Sequence, residues 1–107
     1  MAETPSSPVP TGYSSDIPDG EVLAAFVGQV VVLDTQGPLI YIGTLRHATA
    51  GTLLLLDADV HDTNDSRASK DLYMVETRDL GVHANRSAVL VMRHQIASVS
   101  LLKDVVD

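Results

Sequence analysis

Two adjacent pairs in this sequence place a fixed cation beside an imidazole: Arg46-His47 and Arg93-His94. Clustered donors of this kind suit phosphate groups, which take hydrogen bonds from Arg and from polar side chains. The same residues also suit a plainer role. Arg46 and Arg93 can be rim residues paired to neighbouring carboxylates, and His94 a buried, hydrogen-bonded turn histidine. A second cluster, Asp57, Asp59, His61, Asp62 and Asp65, has the oxygen-rich character that hard divalent cations require. It lacks the spacing and the glycine of an EF-hand loop, so it reads as a solvated acidic segment and no metal is expected. For catalysis the sequence offers no G-x-S-x-G, no P-loop and no H-E-x-x-H. Gly37, Gly43 and Gly51 stand singly, which suits turns and bends rather than a phosphate cradle. The chain is expected not to be an enzyme and to carry no cofactor.

Composition limits what the cationic pairs can do. The 107 residues include 14 acidic and 7 basic side chains, a formal net charge of −7. That balance opposes generic binding to phosphate backbones, whose affinity comes mainly from Lys and Arg. A local cationic site can still act inside an acidic protein. There is no cysteine, which removes disulfides and thiolate chemistry and fits a reducing compartment. No basic-then-apolar leader opens the sequence, and no apolar run approaches the roughly 20 residues of a membrane span. The expectation is a cytoplasmic, membrane-free protein. A core of this size is marginal alone, so closing a barrel or oligomerising would stabilise it.

The elements that would position these residues follow from turn signals between apolar runs. Residues 1–18 are rich in Pro, Ser and Thr and are expected to be a disordered tail before a domain spanning 19–103. Asp19–Val27 reads as a short helix capped by Asp19 and ended by Gly28. Its Val22, Leu23 and Phe26 side must lie on a sheet, because so short a helix is unstable alone. Three strands are expected at 30–33, 39–45 and 52–56, forming an antiparallel meander. The four consecutive leucines 53–56 ask for burial on both faces, or for pairing at a subunit boundary. An irregular acidic stretch, 57–65, then leads into a helix over 66–80. Asn64 or Asp65 would cap it, Ala68, Leu72, Val75 and Asp79 would share one face, and Gly81 would end it. Strands at 88–92 and 96–101 close the domain, split by Arg93-His94-Gln95.

Two stretches carry a resemblance to a known family. Residues 27–58, with Gly37 in the first hairpin, Gly43-Thr44-Leu45 in a bent second strand and Leu56-Asp57-Ala58 at the close, resemble the Sm1 motif of the Sm/LSm (Sm-like) family. Residues 89–102 are similar to Sm2. Within them Met92-Arg93-His94-Gln95-Ile96-Ala97-Ser98 looks most like the corresponding stretch of bacterial Hfq, with Arg93 where Hfq has Lys and His94 where it has His. Together the two stretches cover about half the chain.

The resemblance implies a mainly β fold: a small, strongly bent, five-stranded antiparallel Sm-like (SH3-like) barrel. It would carry an N-terminal helix and a helical insert, about 59–85, between the third and fourth strands. It further implies a homo-oligomeric ring of six or seven subunits, with the fourth strand of one copy joined to the fifth of the next. Single-stranded RNA would bind at the pore, where the implied candidates are Arg46, His47, Thr49, Arg93, His94 and Gln95. The sequence departs from the family here. Residues 46–51 contain neither the usual Asp or Asn nor an aromatic ring on which a base could stack. The alternative is a structural or protein-binding oligomer on the same barrel, with RNA binding lost and the 59–85 insert as the partner surface. A monomeric SH3-like or PRC-like barrel is a rival fold.

Overall fold

The computed structural model describes residues 22–65 and 67–107. Successive side chains in a strand point to opposite faces, and strand β1, Val30–Thr35, is covered on both. Val31 and Leu33 enter one buried cluster with Phe26, Leu45, Leu53, Leu55, Ala58, Val91 and Leu101. Val32 enters a second, with Ile40, Ile42 and Leu102. A strand buried on both faces needs consecutive apolar residues, which accounts for the run Val30–Leu33.

Four more strands complete the sheet: β2 Leu39–Ala48, β3 Thr52–Asp62, β4 Arg86–Met92 and β5 Ile96–Leu101. All neighbours are antiparallel and the order is β4-β3-β2-β1-β5. The fold is therefore mainly β, with five strands in one sheet and a helix between β3 and β4. Among the described residues no ladder joins β4 to β5, so both strands present an open edge.

The sheet bends where β2 and β3 fall out of step. Ile42 pairs with Asp59 but Thr44 pairs with Leu56, so Asp57 and Ala58 together oppose Gly43. This is a β-bulge, and Asp57 takes the left-handed conformation within it (φ 50°). A Cβ on Gly43 would lie 2.9 Å from Ala58 Cα and Cβ and 3.0 Å from the Leu56 carbonyl oxygen. Only glycine lets the strands approach this closely. A second irregularity, between Leu45 and His47, makes Arg46 the unpaired extra residue of β2.

Several sequence expectations change here. The third strand does not stop at Leu56. The acidic stretch continues it past the bulge as far as Asp62, because Leu39–Ile42 of β2 needs a backbone partner there. Only Leu53 and Leu55 of the leucine run are fully buried; Leu54 and Leu56 lie on the outer face and are partly covered. The first helix, expected as a short one, is of the 3₁₀ type, Val22–Phe26. It does lay Phe26 and Leu23 on the first cluster. Gly28 follows it at φ 89°, and its N–H donates to the Leu45 carbonyl at 2.7 Å. The tail expected over 1–18 and the cap at Asp19 lie outside the described residues.

Helix α1 spans Lys70–Leu80, later than expected. Its N-cap is Ser69, whose Oγ accepts from the Leu72 N–H at 3.1 Å; Asn64 and Asp65 sit instead in a 3₁₀ turn, Thr63–Asp65. Gly81 ends it at φ 96°, donating to the Thr77 carbonyl at 2.9 Å. The inward face is Tyr73, Met74 and Thr77, not the Leu72 face. Polar fastenings set this rotation. Lys70 Nζ donates to Asp34 Oδ1, the Thr35 carbonyl and the Gly37 carbonyl, and Tyr73 donates its hydroxyl to Asp59. No helix among the described residues is long and apolar enough to cross a membrane.

Candidate functional site

The β2–β3 connection is knotted by one threonine. Thr49 N–H donates to the Thr52 carbonyl at 2.8 Å, while Thr49 Oγ1 accepts from the N–H groups of Gly51 and Thr52 at 3.2 and 3.0 Å. Short hydroxyl side chains do this in turns because they reach backbone groups two and three residues on. Against this turn packs a second, the 3₁₀ turn Arg93–Gln95 between β4 and β5. Arg93 donates its N–H to the Gly51 carbonyl at 2.9 Å and its Nη1 to the Thr49 carbonyl at 2.7 Å. The Gln95 carbonyl accepts from the Gln36 N–H at 3.2 Å, which adds the β1–β2 hairpin to the same end of the sheet.

Of the six sequence candidates, the structure thus joins Thr49 and Arg93 directly, with His94 and Gln95 in the same turn. Arg46 and His47 lie not in a loop but in the last part of β2, exposed, at the second bulge. Neither Arg46 nor Arg93 forms an ion pair among the described residues. Arg93 is spent in part on a carbonyl, not on a carboxylate. His94 is exposed rather than buried.

The acidic stretch does not gather into a ligand set. No three His, Asp or Glu side chains converge among the described residues. In its place is a polar node that the sequence reading missed. Asp59, 4% exposed, accepts from the Tyr73 hydroxyl and, at 3.4 Å, from Asn85 Nδ2. Asn85 also bonds both backbone groups of Val60, at 2.9 Å each. His61 stacks on Tyr73 with ring centroids 3.8 Å apart and planes 5° apart, and its Nε2 is buried without a hydrogen-bond partner among the described residues. Burial first, then the bond to Asp59 and its negative charge, hold the Tyr73 phenol well above its ordinary pKa. The node fastens the insert to β3. Its signal was the two-residue spacing of Asp59 and His61, within a segment whose acidity had suggested a loop.

No family model and no curated protein sequence matches the chain. Solved structures do. The Pyrococcus abyssii Sm protein, solved in complex with a uridine heptamer, superposes with a TM-score of 0.54 over 79% of this chain and 99% of that one, at 11% identity. The fold is Sm-like. A chain of the NatC complex bound to CoA matches with a TM-score of 0.50 over 78% of this chain and 87% of that one, at 19% identity. Within this chain the second strand bends at Gly43, opposite the Asp57-Ala58 bulge, as the Sm1 resemblance implied.

Proposed function

We propose that this chain is a non-catalytic Sm-like subunit that works by assembling with other protein chains through the β4 side of its sheet. One observation carries the reading. Among the described residues β4 has an unpaired edge, and beside that edge the outer face is apolar: Leu54 is paired with Leu90, Leu56 with Ala88 and Thr52 with Met92. Leu90 is 51% exposed and Met92 43%, in a chain of formal net charge −7. An apolar face continuous with a free strand edge favours strand addition by a partner. The matched chain of the NatC complex supports an Sm-like fold serving within a multi-protein assembly, so a NatC-type complex is the assembly we propose first. The cysteine-free sequence suits a cytoplasmic setting.

A homomeric ring of six or seven copies would cover the same edge with β5 of the next copy. The test is mass by light scattering, for the chain alone and co-expressed with the other chains of its organism's NatC complex. A stable heteromer that is lost in a Leu90→Glu, Met92→Lys variant supports the reading. A closed ring of the chain alone redirects it to self-assembly, and partner binding untouched by the variant sinks it.

A second reading, single-stranded RNA binding, has its own support. Arg46, His47 and His94 are exposed, and the Thr49 turn is bonded to the Arg93 turn, where the Hfq-like stretch Met92–Ser98 lies. Oligo-U at low salt is the probe. Binding that weakens with salt and is lost on Arg46→Ala, His94→Ala supports it, and no binding at low salt rejects it.

A further inference from the structure

α1 and the segment Val105–Asp107 enclose a groove of about 570 Å³ that no residue of β4 or β5 lines. Its apolar walls are Leu72 and Val75 from the helix and Val105 and Val106 from the segment. Leu72 is 49% exposed and Val106 82%, so both leave apolar surface uncovered. The groove is held open by Arg78. Its Nη1 donates to the Val105 carbonyl at 2.6 Å and its Nη2 pairs with Asp107 at 2.5 Å, which straps the segment to the helix.

The charged residues that line it, Asp71 and Asp107, are both acidic. α1 carries two cations, and both are consumed inside the fold: Lys70 by Asp34 and Arg78 by Asp79 and Asp107. Asp71 lines the groove, is exposed and forms no ion pair among the described residues. One wall is a helix whose backbone is bonded internally, so an occupant gains nothing there by offering an unpaired strand. It must satisfy its own backbone.

We infer that this groove docks a short amphipathic helix of a protein partner, apolar on one face and carrying Lys or Arg at its rim. α1 is 11 residues long, about 16 Å, which fits an occupant of about three turns. The apolar face fills the space between Leu72 and Val106, and the basic rim meets Asp71. The surface is separate from β4, so it adds a second attachment point to the assembly reading above.

The test uses the full chain in the Leu90→Glu, Met92→Lys background, so that failure at β4 and failure here are told apart. The probe is a labelled synthetic peptide with Leu at helical spacing and Lys elsewhere; the control has Glu in place of Lys. The expected result is saturable binding that falls about tenfold or more on Leu72→Asp or Val106→Asp, and for the Glu peptide. Amide shifts should concentrate at residues 69–76 and 105–107. Both substituted residues are exposed, so retained circular dichroism and melting temperature are expected. Four outcomes overturn the proposal: equal binding by both variants, shifts centred on β4, self-association lost with Leu72→Asp, and sedimentation with anionic lipid vesicles.

Discussion

Arg93 reaches back across the end of the sheet to donate to the Thr49 carbonyl at 2.7 Å, so the β2–β3 turn and the β4–β5 turn are fastened by one side chain. The backbone bond from Arg93 N–H to Gly51 survives substitution by any residue but proline. Arg93→Ala is therefore expected to cost only about 1 kcal/mol, the usual net value of one such bond. Amide exchange should report the change locally, with the Gly51 and Thr52 N–H groups opening faster and the core strands unchanged. A global loss of protection would show that the side chain does more than tie two turns.

The node under α1 predicts both a stability loss and a pH limit. Tyr73→Phe removes the hydroxyl that faces the buried Asp59 carboxylate, leaving among the described residues the 3.4 Å bond from Asn85. A loss of about 1–3 kcal/mol in urea unfolding is expected, and Tyr73→Phe with Asp59→Ala should be less than additive. The folded-state pKa of Tyr73 is raised above the unfolded value of 10.0. Its contribution is thus fully present below pH 10 and lost as pH climbs from there toward the folded pKa. Absorbance of phenolate, wild type minus Tyr73→Phe, should show one tyrosine ionising late and together with unfolding. Ionisation near pH 10 in the folded protein would contradict the node.

The same node marks where the sequence was readable and where it was not. Five strands, the bend glycine and the glycine stops at 28 and 81 were legible, because periodicity and turn residues act locally. The extent of β3 was not. Asp59 and His61 look like loop residues, yet a strand takes them when Asp59 is met by Tyr73 and Asn85, 14 and 26 residues on. The inward face of α1 failed for a related reason. Counting apolar residues selects Leu72 and Val75, whereas Lys70 and Tyr73 fix the rotation by reaching polar partners in β1 and β3. At the candidate site the sequence located both turns but had no means of showing that Arg93 is partly consumed by Thr49.

Gly43 predicts the largest effect of a single methyl group. Its added Cβ would meet the backbone of Ala58 and Leu56, not the end of a flexible side chain, so the strands must part at the bulge. Gly43→Ala is expected to destabilise by about 1–3 kcal/mol, read as a lower denaturation midpoint with an unchanged slope. Gly37→Ala and Gly51→Ala are the controls, since an added Cβ there meets nothing within 4 Å. If all three behave alike, close approach at the bulge is not what fixes Gly43.

Lys70 holds the start of α1 through a fully used ammonium group, at 2.6 Å from Asp34 Oδ1, 3.0 Å from the Thr35 carbonyl and 2.7 Å from the Gly37 carbonyl. Both partners of the ion pair keep some solvent contact, which limits its value. Lys70→Met preserves the stem and removes the three donors, and a loss of about 1–2 kcal/mol is expected. Asp34→Ala in the same background should cost little more, giving a coupling of about 1 kcal/mol or less in the double-mutant cycle. Lys70→Arg should not restore stability, because a planar fork cannot meet three acceptors arranged around a single point. Full restoration by arginine would mean that charge alone, rather than the three-acceptor geometry, seats the helix on the hairpin.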